Sequence, residues 1–243
     1  VKACQASVRR LGGEAPIDLY QIHFPGAWAN EAYWDGMAQA YDKGLIKAVG
    51  VSNYGVDATR ACAKALAKRG IPLATNQIQY NLLYRFPEEN GLLQACEDLG
   101  VKVLAYSPLA LGLLTGKYVD NETIQSIQGP RKQLFAKTVE NPDFQNLLSV
   151  MKQVAAAHDG SSSSSASLPQ VAINWCRSKG TIPIPGARNL RQIQSNYGAL
   201  DWELSKEEVT MLDKASAGLS YILPEASPMP KFDKDTNLKM FDS

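Results

Sequence analysis

Five short apolar runs, each followed by a helical pattern and recurring at a near-constant interval, predict an α/β fold of the (β/α)8 TIM barrel class. The runs are Ile17 to Ile22, Ile46 to Val51, Leu73 to Ile78, Val101 to Tyr106 and Thr181 to Ile184. From Ile17 to Ile46 is 29 residues, from Ile46 to Leu73 is 27, and from Leu73 to Val101 is 28. A strand-helix repeat of this size, joined by right-handed crossovers, gives a parallel sheet or barrel. The chain length of 243 residues is close to the roughly 250 of a single barrel. An open doubly wound sheet is the alternative, but no G-x-G-x-x-G turn follows any of the runs.

The elements follow in order. The chain enters inside a helical pattern carrying Cys4, Val8 and Leu11. Each apolar run is too short for a helix and too uniformly apolar for a half-exposed antiparallel strand, so all five read as buried parallel strands. Asn30 is placed to cap a helix running to about Lys43, with Gly44 at its end. Asp57 is placed to cap the next, which carries Ala61, Ala65 and Leu66 on one face and stops at Gly70. Pro87, at a first helical turn, opens a helix from Glu88 to Leu99, closed by Gly100. The fifth strand arrives late because 110–143 is inserted. Its richness in Gly, Asn, Gln and Thr reads as a long loop on the cofactor side. Ser161 to Ser165 reads as a flexible connection inside a helical hairpin. A helix at Leu190 to Tyr197 follows, then one opened by a capping box, Ser205 with Glu208 three residues on. The stretch 224–243 reads as an irregular surface tail, and 1–243 as a single barrel domain. Five units are three short of a closed barrel, which at about 28 residues each is roughly 85 residues. The expectation is that this chain holds the last five strand-helix units of a longer barrel.

Composition excludes several classes. Hydrophobic residues make up 45% and charged residues 20%, unlike a disordered or collagen-like chain. A net charge of +1 with scattered basic residues gives no electrostatic footprint for nucleic acid. No stretch approaches the roughly 18 consecutive apolar residues of a membrane span. Cys4, Cys62, Cys96 and Cys176 are far apart and form no C-x-x-C pair, so buried reduced thiols and a reducing compartment are expected. With only His23 and His158, a metal site is not expected. Neither a G-x-S-x-G elbow nor a P-loop is present.

In barrels of this class the functional residues sit at the carboxyl ends of the strands and in the loops after them. Those positions hold His23 before Phe24-Pro25, Ser52-Asn53, Gln77 with Gln79 and Tyr80, Tyr106-Ser107-Pro108, and Gly186 with Arg188. Singly, each also fits a plainer role: a turn histidine on Pro25, a turn start before Gly55, a satisfied core amide, a filler at the barrel rim. One polar group at every strand end is harder to assign to chance, since chance placement does not follow the repeat.

At these residues the chain resembles the aldo-keto reductase family. The segments that carry the resemblance are Ile17-Asp18-Leu19-Tyr20-Gln21-Ile22-His23, Ile46 to Asn53, Asn76-Gln77-Ile78-Gln79-Tyr80-Asn81, Tyr106-Ser107-Pro108-Leu109 through Leu113 to Tyr118, and Ile184 to Arg188. The ending, Val171 to Cys176 and Lys239 to Ser243, is most similar to the plant and algal chloroplast branch. The resemblance implies a barrel that reduces a small-molecule aldehyde or ketone with NADPH and no metal, in the chloroplast. In the family a tyrosine protonates the carbonyl oxygen, tuned by a lysine and an aspartate, while a histidine orients the carbonyl. His23 matches that histidine. Ser52, Asn53 and Gln77 match the residues that bond the nicotinamide carboxamide, and Tyr106 matches the ring stacked on it. Ser107, Leu109, Gly112 and Lys117 match the loop over the pyrophosphate. Gly186, Arg188, Gln192 and Asn196 match the adenosine end, where a helix amino terminus and a guanidinium suit a 2′-phosphate. Arg131, from the inserted stretch, is expected to join them. The aspartate, tyrosine and lysine belong to strand units absent from these 243 residues, and Tyr20, Tyr80 and Tyr84 occupy other motif positions. The alternative expectation is a catalytically inactive, reductase-like accessory subunit with a protein partner.

Overall fold

The computed structural model describes residues 1–13, 15–25, 30–158 and 166–219. Five strands, β1 (Ile17–Ile22), β2 (Ile46–Ser52), β3 (Leu73–Gln79), β4 (Lys102–Tyr106) and β5 (Ile182–Ile184), lie in the order β1-β2-β3-β4-β5. β1 pairs parallel with β2 and β2 parallel with β3. All five fall on the predicted apolar runs, within a residue at either end. The chain divides into two compact units.

The first unit comprises Val1–Ile78 and Pro87–Leu104 among the described residues. Here α1 (Lys2–Arg10), α2 (Asn30–Asp42), α3 (Val56–Ala67), α4 (Phe86–Glu89) and α5 (Leu92–Asp98) alternate with the strands. Their apolar faces bury Trp34, Met37, Cys62, Leu66, Leu92 and Cys96 against Ile46, Val49, Val51 and Ile78. Burying such side chains supplies the main stabilisation, about 1.5–3 kcal/mol for each large one. Trp34 Nε1 donates to the Tyr54 hydroxyl at 3.2 Å, and burial raises the Tyr54 phenol well above its ordinary pKa.

Two predicted elements differ. The helix expected to open at Asp57 begins at Val56 with Gly55 at its N-cap, so Asp57 lies in the first turn, where a carboxylate complements the helix dipole. The helix expected from Glu88 to Leu99 is broken into α4 and α5, because Gly91 takes a left-handed φ of 80° at the N-cap of α5.

The second unit comprises Gln79–Phe86 and the described residues from Ala105 on. Its helices are α6 (Pro130–Val139), α7 (Pro142–Ala157), α8 (Leu168–Ser178), α9 (Leu190–Tyr197) and α10 (Lys206–Ser216). The stretch 110–143 is therefore not all loop: a 3-10 segment (Ala110–Thr115) opens it and α6 (Pro130–Val139) lies near its end, with turns between them. Phe135, Phe144, Leu147, Met151, Trp175 and Leu212 form the buried centre. Trp175 stacks on Tyr80 at 5.0 Å and donates Nε1 to Asp213 at 2.8 Å, while Lys179 Nζ bonds the other Asp213 oxygen at 2.7 Å. The expected connection Ser161–Ser165 and the expected tail 224–243 lie outside the described residues. Among the described residues, no helix is long and apolar enough to cross a membrane.

Candidate functional site

Four of the expected site residues meet in the first unit. Ser52 of β2 stands opposite Gln77 of β3. The Ser52 hydroxyl donates to the Gln77 carbonyl at 2.8 Å, and the Asn53 N–H donates to the same carbonyl at 2.9 Å. Asn53 Nδ2 donates to the Ser52 hydroxyl at 3.1 Å and to the His23 carbonyl at 3.0 Å. Asn53 thus ties the ends of β1, β2 and β3 together. It does so from a left-handed φ of 61°, a conformation asparagine tolerates better than most residues. Ser52 and Asn53 are buried, whereas the His23 side chain is exposed, its ring centroid 4.5 Å from that of Phe24. The Gln77 side-chain amide has no protein partner among the described residues, leaving a donor pair and an acceptor for a ligand.

The remaining expected residues lie in the second unit. Tyr106 ends β4, its carbonyl accepting the Tyr80 N–H at 3.4 Å. Burial, with a smaller contribution from neighbouring Tyr84, pushes the Tyr106 phenol up to about 12, so the ring stays neutral. Beyond it the backbone is strained: Ser107, Ala110 and Leu111 take φ of 53°, 48° and 59°, followed by Gly112 at 102°. Non-glycine residues in this region cost free energy and persist where surrounding contacts over-determine them. Those contacts are visible. Asn81 Nδ2 donates to the Ser107 carbonyl at 3.0 Å, and the Leu109 carbonyl accepts from Gly112 N at 2.9 Å and Leu114 N at 3.3 Å. Lys117 Nζ lies 5.1 Å from the centre of the Tyr118 ring. Arg131 donates Nη2 to the Leu111 carbonyl and lies over Phe135 at 4.8 Å, so its guanidinium braces the strained turn.

Gly186, Arg188 and Gln192 lie at the amino end of α9, and Asn196, in its last turn, reaches back toward Gly186. Asn189 caps the helix by accepting Gln192 N at 3.0 Å, Gln192 Oε1 accepts Arg188 N at 2.7 Å, and Asn196 Nδ2 reaches the Gly186 carbonyl at 3.5 Å. The exposed Arg188 guanidinium has no partner among the described residues. An exposed guanidinium beside a helix amino terminus suits an anionic phosphate. A recess of about 440 Å³ lies beside this group, lined by Ile182, Pro183, Ile193, Asn196, Tyr197 and Leu200 among others.

Asn81 was not singled out from sequence. It is fully buried, accepts Leu83 N at 2.9 Å and holds Ser107, a local turn signature that an Asn just beyond a strand can signal.

Residues 1–217 match the sequence model of the aldo/keto reductase family. A chloroplastic pyridoxal reductase of Arabidopsis thaliana is 38% identical over 224 residues, covering 89% of this chain and 57% of that protein. A probable pyridoxal reductase of Schizosaccharomyces pombe is 29% identical, covering 90% of this chain and 67% of its own length. Among solved structures, the glycerol dehydrogenase of Gluconobacter oxydans superposes with a TM-score of 0.70 at 26% identity, over 94% of this chain and 64% of that one. The thermostable aldo-keto reductase Tm1743 gives a TM-score of 0.66 at 27% identity, over 88% and 65%. The chain therefore spans about three fifths of the length of these relatives.

Proposed function

The chain belongs to the aldo/keto reductase family, and on that premise we propose that it is part of an NADPH-dependent oxidoreductase that reduces an aldehyde or ketone by hydride transfer. The observation that carries this reading is the convergence of Ser52, Asn53 and the His23 carbonyl around Gln77. When bound, NADPH supplies the hydride. In the first unit Gln77 bonds the nicotinamide carboxamide with its unpaired amide, while Ser52 and Asn53, fixed by each other, define its place. His23, exposed at the end of β1, directs an imidazole N–H at the substrate carbonyl oxygen. Positioning of this kind is the contribution a protein makes to cofactor chemistry.

In the second unit the neutral Tyr106 ring presents an aromatic face of the kind on which a planar heterocycle stacks. The turn of Ser107, Leu109 and Gly112, with Lys117, takes the pyrophosphate, and Arg131 supports that turn from behind. Gly186, Arg188, Gln192 and Asn196 hold the adenosine end, with Arg188 on the 2′-phosphate. None of these 243 residues matches the family's general acid, so the proton is assigned to a group outside them, and no carbonyl reduction is expected from these residues alone. Similarity to the Arabidopsis protein supports pyridoxal as the first aldehyde to test and the chloroplast as the location.

A titration followed by NADPH fluorescence tests the reading. The 243-residue chain binds NADPH, binds it at least about tenfold tighter than NADH because only the former offers Arg188 a 2′-phosphate, and does not oxidise it with pyridoxal or other aldehydes. Absence of NADPH binding, or turnover by this chain alone, sinks it.

A further inference from the structure

We propose that Gln21, Gly50 and Thr75 form a register lock on the site-facing side of the first unit, and that this lock holds Ser52 opposite Gln77. Gln21 pairs with Gly50 across β1 and β2, and Gly50 with Thr75 across β2 and β3. The row lies two positions before His23, Ser52 and Gln77 in each strand. Residues two apart in a strand share a face, so the lock and the site residues point the same way.

The row is discontinuous with the one before it. Val49 pairs with Leu73, but Gly50 pairs with Thr75, so Ala74 is an extra residue in β3. A bulge re-aims every side chain beyond it, because strand faces alternate with a period of two. In straight pairing Gly50 would oppose Ala74 and Ser52 would oppose Asn76. The site therefore depends on holding the bulge in place.

Two polar contacts do this from opposite faces. On the helix side, fully buried Asn76 donates Nδ2 to the Tyr54 carbonyl at 2.8 Å and to Thr59 Oγ1 at 3.1 Å. On the site side, Thr75 Oγ1 donates to Gln21 Oε1 at 2.9 Å, spanning β2 to tie β3 to the strand that ends in His23. Glycine makes that span possible. A Cβ at position 50 would lie 2.2 Å from Thr75 Oγ1 and 2.8 Å from Gln21 Cγ. Gln21 and Thr75 are positioning residues, acting through Ser52, Asn53 and Gln77.

Native-state amide exchange at Asn53, whose N–H bonds the Gln77 carbonyl, reads the lock directly, with Val49 and Val51 of β2 as internal references. Thr75→Val removes the donor at constant shape, Gly50→Ala forces the pair apart, and Thr75→Ser restores the hydroxyl. Asn53 exchange is expected to rise about tenfold relative to Val49 and Val51 in the first two variants and to return in the third. Gln21→Met removes the acceptor instead and gives the same readout if Thr75→Val does not fold. Unchanged Asn53 exchange, or a rise shared equally with Val49 and Val51, overturns the lock.

A second measurement rests on the cofactor reading: NADPH affinity of Thr75→Val is expected to fall several-fold and to recover in Thr75→Ser. Unchanged affinity alongside faster Asn53 exchange overturns the link to the site. If the unaltered chain binds no NADPH, the cofactor reading fails while the exchange experiment still decides the lock.

Discussion

Arg188 offers a guanidinium to solvent beside the capped end of α9, its backbone N–H already held by Gln192. A charge-assisted bond to phosphate is worth about 1.5–3 kcal/mol. Arg188→Gln is therefore expected to weaken NADPH binding by roughly ten- to a hundredfold and leave NADH binding nearly unchanged, measured by fluorescence titration of both nucleotides. Equal losses for the two would remove Arg188 from the 2′-phosphate. The thiols make a different prediction. Burial pushes Cys62 up to about 12 and Cys96 up to about 11, from 9.0 for a free thiol. Each holds its proton more firmly folded than unfolded, so its stabilising contribution is complete below about pH 9 and is lost as pH climbs through the folded value. In Cys62→Ala the alkaline decline in stability above pH 9 is expected to be shallower than in the unaltered chain, as followed by urea unfolding at stepped pH. An equally steep decline would show that other groups dominate there.

At the scale of elements, α10 is opened by a reciprocal capping box: Glu208 N donates to Ser205 Oγ at 3.1 Å and Ser205 N to Glu208 Oε2 at 2.8 Å. Glu208 also pairs with His158 at 2.9 Å. Ser205→Ala is expected to cost about 1 kcal/mol, lowering the thermal midpoint by roughly 2–4 °C in differential scanning calorimetry. A shift within error would mean that packing of α10 against α7 suffices without the cap. This capping box was legible in sequence because its signal is local and four residues long. The strands were legible for a similar reason, as short apolar runs at a regular interval, although only β2 and β3 are mostly buried while β1 is half-buried and β5 half exposed. The break between α4 and α5 was not, since the segment Pro87 to Leu99 has helical periodicity throughout and Gly91 looks like a tolerated interior glycine. With φ at 80° and open space around its absent Cβ, Gly91→Ala is expected to destabilise by about 1 kcal/mol through backbone strain alone.

At the scale of the molecule, the strand order among the described residues leaves β1 and β5 with a neighbour on one side only. Around β5 the apolar side chains Ile182, Ile193, Tyr197 and Leu200 are at least half exposed. Terminal strands and apolar surface of this kind favour association between chains. The 243-residue chain by itself is expected to self-associate with rising concentration, measured by light scattering after size exclusion, and Ile182→Lys to reduce the effect. A monodisperse monomer at high concentration would contradict this.

The amino-acid sequence alone determined the strand-helix repeat, the buried faces and the polar residue at each strand end, because these follow from periodicity and from residues near one another in the chain. Tertiary structure alone decided which partners those residues take. That Ser52, Asn53 and His23 meet at Gln77, that Arg131 braces Leu111, and that a bulge at Ala74 turns Gln77 toward the site are outcomes of pairing between segments 20 to 54 residues apart. A one-residue slip would keep the same sequence pattern and send those side chains to the opposite face.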